Sequence, residues 1–138
     1  MAYWLLKSEP ATWSWDQQVA AGAEGWDGVR NHQASNNMKA MKIGDRAFFY
    51  HSNQGKEIVG IVEVVAAYHP DPTDGSGRFG MVDVRAVRPM TKPVSLVTIK
   101  ADPELADMAL VRQSRLSVMP VTDPQWRRVC ALGETDPD

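Results

Sequence analysis

The sequence predicts an α+β fold built on a mostly antiparallel, curved or barrel-like sheet, and three observations carry that prediction. Short stretches of alternating or β-branched residues recur along the chain, separated by Gly, Pro and Asn clusters. Short segments with apolar residues at i, i+3 and i+4 begin on Ser or Asp caps and stop at Gly or Lys. The two kinds of segment do not alternate as the βαβ units of a doubly wound sheet require. The chain of 138 residues is read as one domain, 1–138, long enough to bury roughly 68% of its unfolded surface.

Taken in order, Tyr3 to Lys7 is a first strand stopped by Ser8-Glu9-Pro10. Ser14 with Gln17 forms a capping box for a two-turn helix ending near Gly22. Ala34, Met38 and Met41 recur at i, i+4 and i+7, giving one apolar face to a helix from about His32 to Met41. Arg46 to Ser52 alternates as a second strand, and Asn53 to Lys56 is a hairpin-like link to Ile58–Ala67. Gly60 within that run marks a bulge or a close approach. Pro70 to Gly77 is a loop rich in turn residues, and Met81 to Arg88 is a half-buried strand ended by Pro89 and Pro93. Asp102-Pro103 starts a short helix through about Ala109, and Ser117 to Val121 is the last strand. A final helix runs from Asp123-Pro124 to Gly133, with Trp126, Val129 and Cys130 facing inward. The expected total is about five strands and three or four short helices.

Composition narrows the function. The net charge is −2, and Glu134, Asp136 and Asp138 in the tail account for the excess, so a protein that coats phosphate backbone is disfavoured. One cysteine, Cys130, rules out an internal disulfide and fits a reducing cytoplasm. The start MAYWLLKSEP has no basic n-region, and no apolar run approaches a membrane span; a cytoplasmic chain with no membrane partner, and a monomer, is expected. His32, His51 and His69 stand apart without carboxylates or Cys at ligand spacing, so no metal is expected. Lys7-Ser8-Glu9 reads as a binding or structural strand end rather than a nucleophile beside a base, and Gly75-Ser76-Gly77 lacks the lysine of a phosphate loop. No catalytic residue and no cofactor are expected.

The stretch that most resembles a site is Trp26 to Ser52. Asn31, Gln33, Ser35, Asn36 and Asn37 fall where a helix interior disfavours them, because their side chains compete for backbone hydrogen bonds. Trp26-Asp27-Gly28-Val29-Arg30-Asn31 gathers a large aromatic, a turn glycine, a guanidinium and an amide, a mixture suited to a flat polar ligand. Of the five tryptophans, Trp15 and Trp126 read as core, while Trp4 and Trp26 sit beside polar groups that a core would not take unpaired.

The motifs Tyr3-Trp4-Leu5-Leu6-Lys7-Ser8-Glu9-Pro10, Trp26-Asp27-Gly28-Val29-Arg30-Asn31 with Gln33-Ala34, Gly44-Asp45, Phe48-Phe49-Tyr50-His51-Ser52, Met81-Val82-Asp83-Val84 and Arg115-Leu116-Ser117-Val118 resemble the EVE domain family of the PUA-like superfamily over nearly the whole chain. The resemblance implies a PUA-like sheet of five or six strands with flanking helices, and a pocket for a flipped modified base, typically a modified cytosine in DNA. It implies that Trp26 stacks on the base, that Lys7, Ser8, Asn31 and Ser52 supply donors and acceptors, and that Arg30 and Arg115 meet phosphate or sugar. Trp4 and Phe79 join the ligand-binding set, with Phe79 standing where the family pattern carries a tryptophan. The alternatives are an RNA-binding module and an enzyme acting on nucleic acid, the latter requiring Glu9 or Asp83 to face the cavity.

Overall fold

The sheet grows outward from β1 (Tyr3–Ser8), whose Leu5 and Leu6 are wholly buried. The computed structural model describes all residues, 1–138. β1 runs parallel to β3 (Arg46–His51), with Leu5 opposite Phe48 and Lys7 opposite Tyr50, and antiparallel to β6 (Val118–Val121). β4 (Glu57–Pro70) and β5 (Gly80–Ser95) form the long hairpin beside β3, and β2 (Ala23–Gly25) adds to the outer edge of β5. The order is β2-β5-β4-β3-β1-β6, an open sheet in which β1·β3 is the one parallel pairing. Four register shifts along β4·β5 bend it, since each extra residue on one strand increases local twist.

The helices are short. α1 (Trp15–Ala21) begins on the expected capping box, in which the Ser14 hydroxyl accepts from Gln17 N and the Gln17 side chain accepts from Ser14 N. α2 (His32–Lys39) buries Ala34 and Met38, and Met41 follows them into the core just beyond its end. α3 (Leu96–Ala101) and α4 (Ala109–Arg112) flank a single 3-10 turn at Pro103–Leu105. α5 (Asp123–Leu132) carries Trp126, which stacks between Tyr3 at 4.3 Å and Phe48 at 3.9 Å and joins one face of the sheet to the helix.

Several boundaries differ from the sequence reading. Pro89 and Pro93 do not end the fourth predicted strand: β5 continues to Ser95, with Pro89 facing Gly60 where the ladder is irregular, so the missing N–H breaks no regular pairing. Asp102 does cap, its carboxylate accepting from Glu104 N, but it starts one turn rather than a helix through Ala109. β2 and α3 were not predicted. Gly60 is a close approach: a Cβ there would run into the Trp15 ring.

Candidate functional site

Where β1 leaves the sheet, Lys7 and Ser8 reach the end of their strand beside the β2 edge, and a cavity of about 420 Å³ opens between them. It is lined by the β1 exit (Lys7, Ser8, Glu9), by Thr12 and Trp13 of the following turn, and by Glu24, Gly25, Trp26 and Asp27. Its two apolar walls are both indoles. Trp13 is oriented by a bond from its Nε1 to Gln18 Oε1 at 3.0 Å, while its carbonyl accepts the Ser8 hydroxyl at 2.5 Å. Gln18 has no exposure and spends its amide donors on Gly22 O and Val84 O, so Trp13 is tied through one buried amide to the β5 backbone. Trp26 is only 8% exposed and meets Phe49 edge-on, with centroids 5.4 Å apart and planes at 89°. Its N–H donates to Val82 O, which continues the β2·β5 ladder into the cavity wall. At Gly25 a Cβ would strike the Met81 thioether.

Polar residues complete the lining. Burial lowers the Lys7 pKa, and its Nζ donates to Ser114 O at 2.8 Å. Glu9, Glu24 and Asp27 bring three carboxylates to the lining against one ammonium, so the cavity repels phosphate and suits a group rich in N–H donors.

The structure thus brings Lys7, Ser8 and Trp26 together and separates the other sequence-predicted residues from them. Trp4 lies elsewhere, buried, with its Nε1 donating to Asp45 Oδ2; Asp45 also accepts from Ala2 N and Lys42 N, a structural knot. Ser52 stands behind Ser8, its N–H donating to Ser8 O, and does not line the cavity. Arg30 pairs with buried Asp71 at 3.0 Å and with Thr73, and its guanidinium lies 5.7 Å from the Phe79 ring, which also meets His32. Arg30 and Phe79 therefore order the loop after β4 rather than wall the cavity. Asp71, buried, is nonetheless held well below the usual carboxylate range because Thr73, Gly28 N and Arg30 all donate to it.

Asn31 and Arg115 line a second cleft of about 360 Å³, together with Gln33, Arg112, Gln113, Ser114 and Leu116. Most of the polar run in α2 has structural work: Asn31 caps the helix through Ala34 N, Ser35 Oγ meets Tyr68 Oη at 2.9 Å, and Asn37 Nδ2 donates to Val118 O. Among the carboxylates weighed from sequence, Glu9 lines the cavity whereas Asp83 pairs with His69 at 2.8 Å. Sequence reasoning missed Thr12, Trp13, Glu24, Gly25 and Asp27 as lining residues; the one readable signal was a tryptophan, Trp13, placed before the Ser14 cap rather than on the apolar face of a helix.

A family model of the EVE domain matches residues 2–132. The chain belongs to the EVE domain family. This EVE domain is 34% identical to thymocyte nuclear protein 1 of Mus musculus, over 98% of this chain and 75% of that protein. Among solved structures, a protein of Rhodopseudomonas palustris determined by NMR is 60% identical with a TM-score of 0.92, covering 97% of this chain and 94% of that one. The crystal structure of the human THYN1 protein in complex with 5-methylcytosine-containing DNA is 33% identical with a TM-score of 0.92, covering 99% of this chain and 100% of that one.

Proposed function

We propose that this EVE domain binds DNA bearing a modified cytosine, takes the flipped base into the Trp13–Trp26 cavity, and does no chemistry on it. The observation that carries the reading is the cavity itself: two indole walls with three exposed acidic residues in the lining, in a chain that superposes on a relative solved with 5-methylcytosine DNA. Extruding a base costs a few kcal/mol, and stacking plus edge hydrogen bonds must offset it. Trp26 supplies the stacking wall, stiffened by Phe49. Carboxylates accept well from the exocyclic N4 amine of cytosine, so Glu9, Glu24 and Asp27 favour cytosine over thymine. Lys7 keeps two N–H groups for a base oxygen, and Ser8, whose proton is committed to Trp13 O, offers lone pairs. That commitment to a backbone carbonyl leaves Ser8 without a base to activate it, which supports a binding role over catalysis. RNA carrying the same base is the alternative ligand, and the protein acts as a cytoplasmic monomer.

The test is a titration of oligonucleotides carrying 5-methylcytosine, cytosine or thymine at one position, in DNA and RNA form. Tightest binding to methylated DNA supports the reading; equal affinity for all bases removes it. Glu9 in the lining favours one second reading, acid–base chemistry on the bound base. Mass spectrometry of the recovered oligonucleotide decides between them, since an unaltered base leaves only binding.

A further inference from the structure

The second cleft adjoins the first through one hydrogen bond. Lys7 lines the cavity, yet its Nζ donates at 2.8 Å to the carbonyl of Ser114, which lines the cleft. A ligand in the cavity therefore has a second, differently built recess beside it. Six of the seven residues lining that recess are polar, and its charges are two guanidiniums, the reverse of the carboxylate-rich cavity. Arg112 is held by Asp107 and by Ala106 O. Arg115 makes no ion pair or hydrogen bond to the rest of the chain and is exposed.

The same cleft holds an amide pair. Gln33 Nε2 donates to Gln113 Oε1 at 2.9 Å, so Gln33 keeps a free carbonyl oxygen and Gln113 a free NH2. If both amides are turned over, the remaining pair is again one acceptor beside one donor, so this property survives the O/N assignment. The two side chains come from different elements: Gln33 stands on α2, one turn before Asn37, which pins that helix to Val118 O, and Gln113 ends α4. The pair is thus held from two sides.

We infer that this cleft is a second nucleotide subsite, which takes the nucleotide adjoining the flipped base, reads its base edge with the Gln33–Gln113 amide pair and holds its phosphate with Arg115. In a duplex, where the Watson–Crick edges are paired, an acceptor beside a donor matches the N6 amine beside N7 of adenine. Guanine presents two adjacent acceptors there, N7 and O6, while cytosine and thymine present a single polar group each, so all three match poorly. The EVE domain then selects a sequence context as well as a base, preferring an adenine neighbour over the other three.

This inference rests on the base-binding reading above, and the experiment separates the two. Duplex DNA oligonucleotides with one 5-methylcytosine and each of the four bases as its neighbour are titrated by fluorescence anisotropy. Parallel NMR spectra follow the side-chain NH2 signals of Gln33 and Gln113 and the indole N–H of Trp26. The expected result is at least about fivefold tighter binding with an adenine neighbour, the lower end for a bidentate amide–base contact, with both sets of signals moving. In Q33A/Q113A that neighbour preference disappears while the preference for methylated over plain cytosine stays. If the Trp26 signal moves but the amides and the neighbour preference do not, the subsite is overturned and the base pocket stands. If the amides move without Trp26, the cleft binds nucleic acid and the base pocket falls. If neither moves, both are overturned.

Discussion

Replacing Trp26 with alanine separates what the ring does for the fold from what it does for a ligand. From sequence alone Trp26 reads as a pocket residue whose loss leaves the fold largely intact. The structure corrects this: the ring is 8% exposed and sits in the main hydrophobic cluster against Phe49. Aromatic-to-alanine changes at such positions cost about 3–5 kcal/mol, a large share of the ~5–15 kcal/mol that holds a domain together. Trp26→Ala should therefore melt at a clearly lower temperature. Binding should fall further than folding explains, because a stacked base is worth ~1–3 kcal/mol, roughly 5- to 150-fold in Kd. Trp26→Phe keeps an aromatic face and the edge-on contact, and should recover most of the stability and part of the affinity. The assay is anisotropy with a 5-methylcytosine oligonucleotide, at a temperature where circular dichroism shows each variant folded. A folded Trp26→Ala with unchanged Kd refutes the stacking role.

Binding should depend only weakly on salt: with one or two ion contacts, the slope of log K against log salt should be no steeper than about −2, and Arg115→Ala should reduce it by about one while weakening all bases alike. A steep slope, or a changed base preference in Arg115→Ala, would show that affinity comes from elsewhere. His51 should make stability pH-sensitive on the acid side. Its Nε2 accepts from Trp15 N at 3.0 Å, and burial lowers its pKa below 6.5, with Glu57 and Asp16 opposing in part. A depressed histidine contributes fully above its unfolded value and loses that contribution as pH falls through the lower folded value. Thermal melts from neutral pH downward should therefore show a loss below about pH 6.5 that is flattened in His51→Gln. Gly60→Ala should destabilise by about 1–3 kcal/mol or more, because the new methyl meets the Trp15 ring; an unchanged melting temperature would mean that α1 shifts freely.

Local chemistry was legible where it acts locally. The Ser14–Gln17 box and the cap at Asp102 need only residues two or three apart, and both form. α3 was hidden because Leu96-Val97-Thr98-Ile99 is rich in β-branched residues, and only the Ser95 cap and its packing make it helical. β2 has three residues and exists through its pairing with β5, which no window of sequence contains. Likewise the sequence grouped Lys7, Ser8 and Trp26, which line the cavity, with Trp4, Ser52, Arg30 and Phe79, which lie outside it. Polarity beside an aromatic does not distinguish a ligand wall from a buried knot such as Trp4 with Asp45. Trp13 escaped because it lies in a turn, where periodicity carries no signal.

The placement of β1 sets an order on folding. The earliest strand of this domain in chain order lies between β3 and β6, and β6 is the last strand of the sheet. Until residues near position 118 are available, β1 keeps an unpaired edge, and the Lys7 ammonium lacks its carbonyl partner 107 positions away. Closing so long a loop is slow relative to forming hairpins such as β4·β5. The Lys7–Ser114 bond that joins the cavity to the adjoining cleft therefore forms in the same late step that seals the sheet.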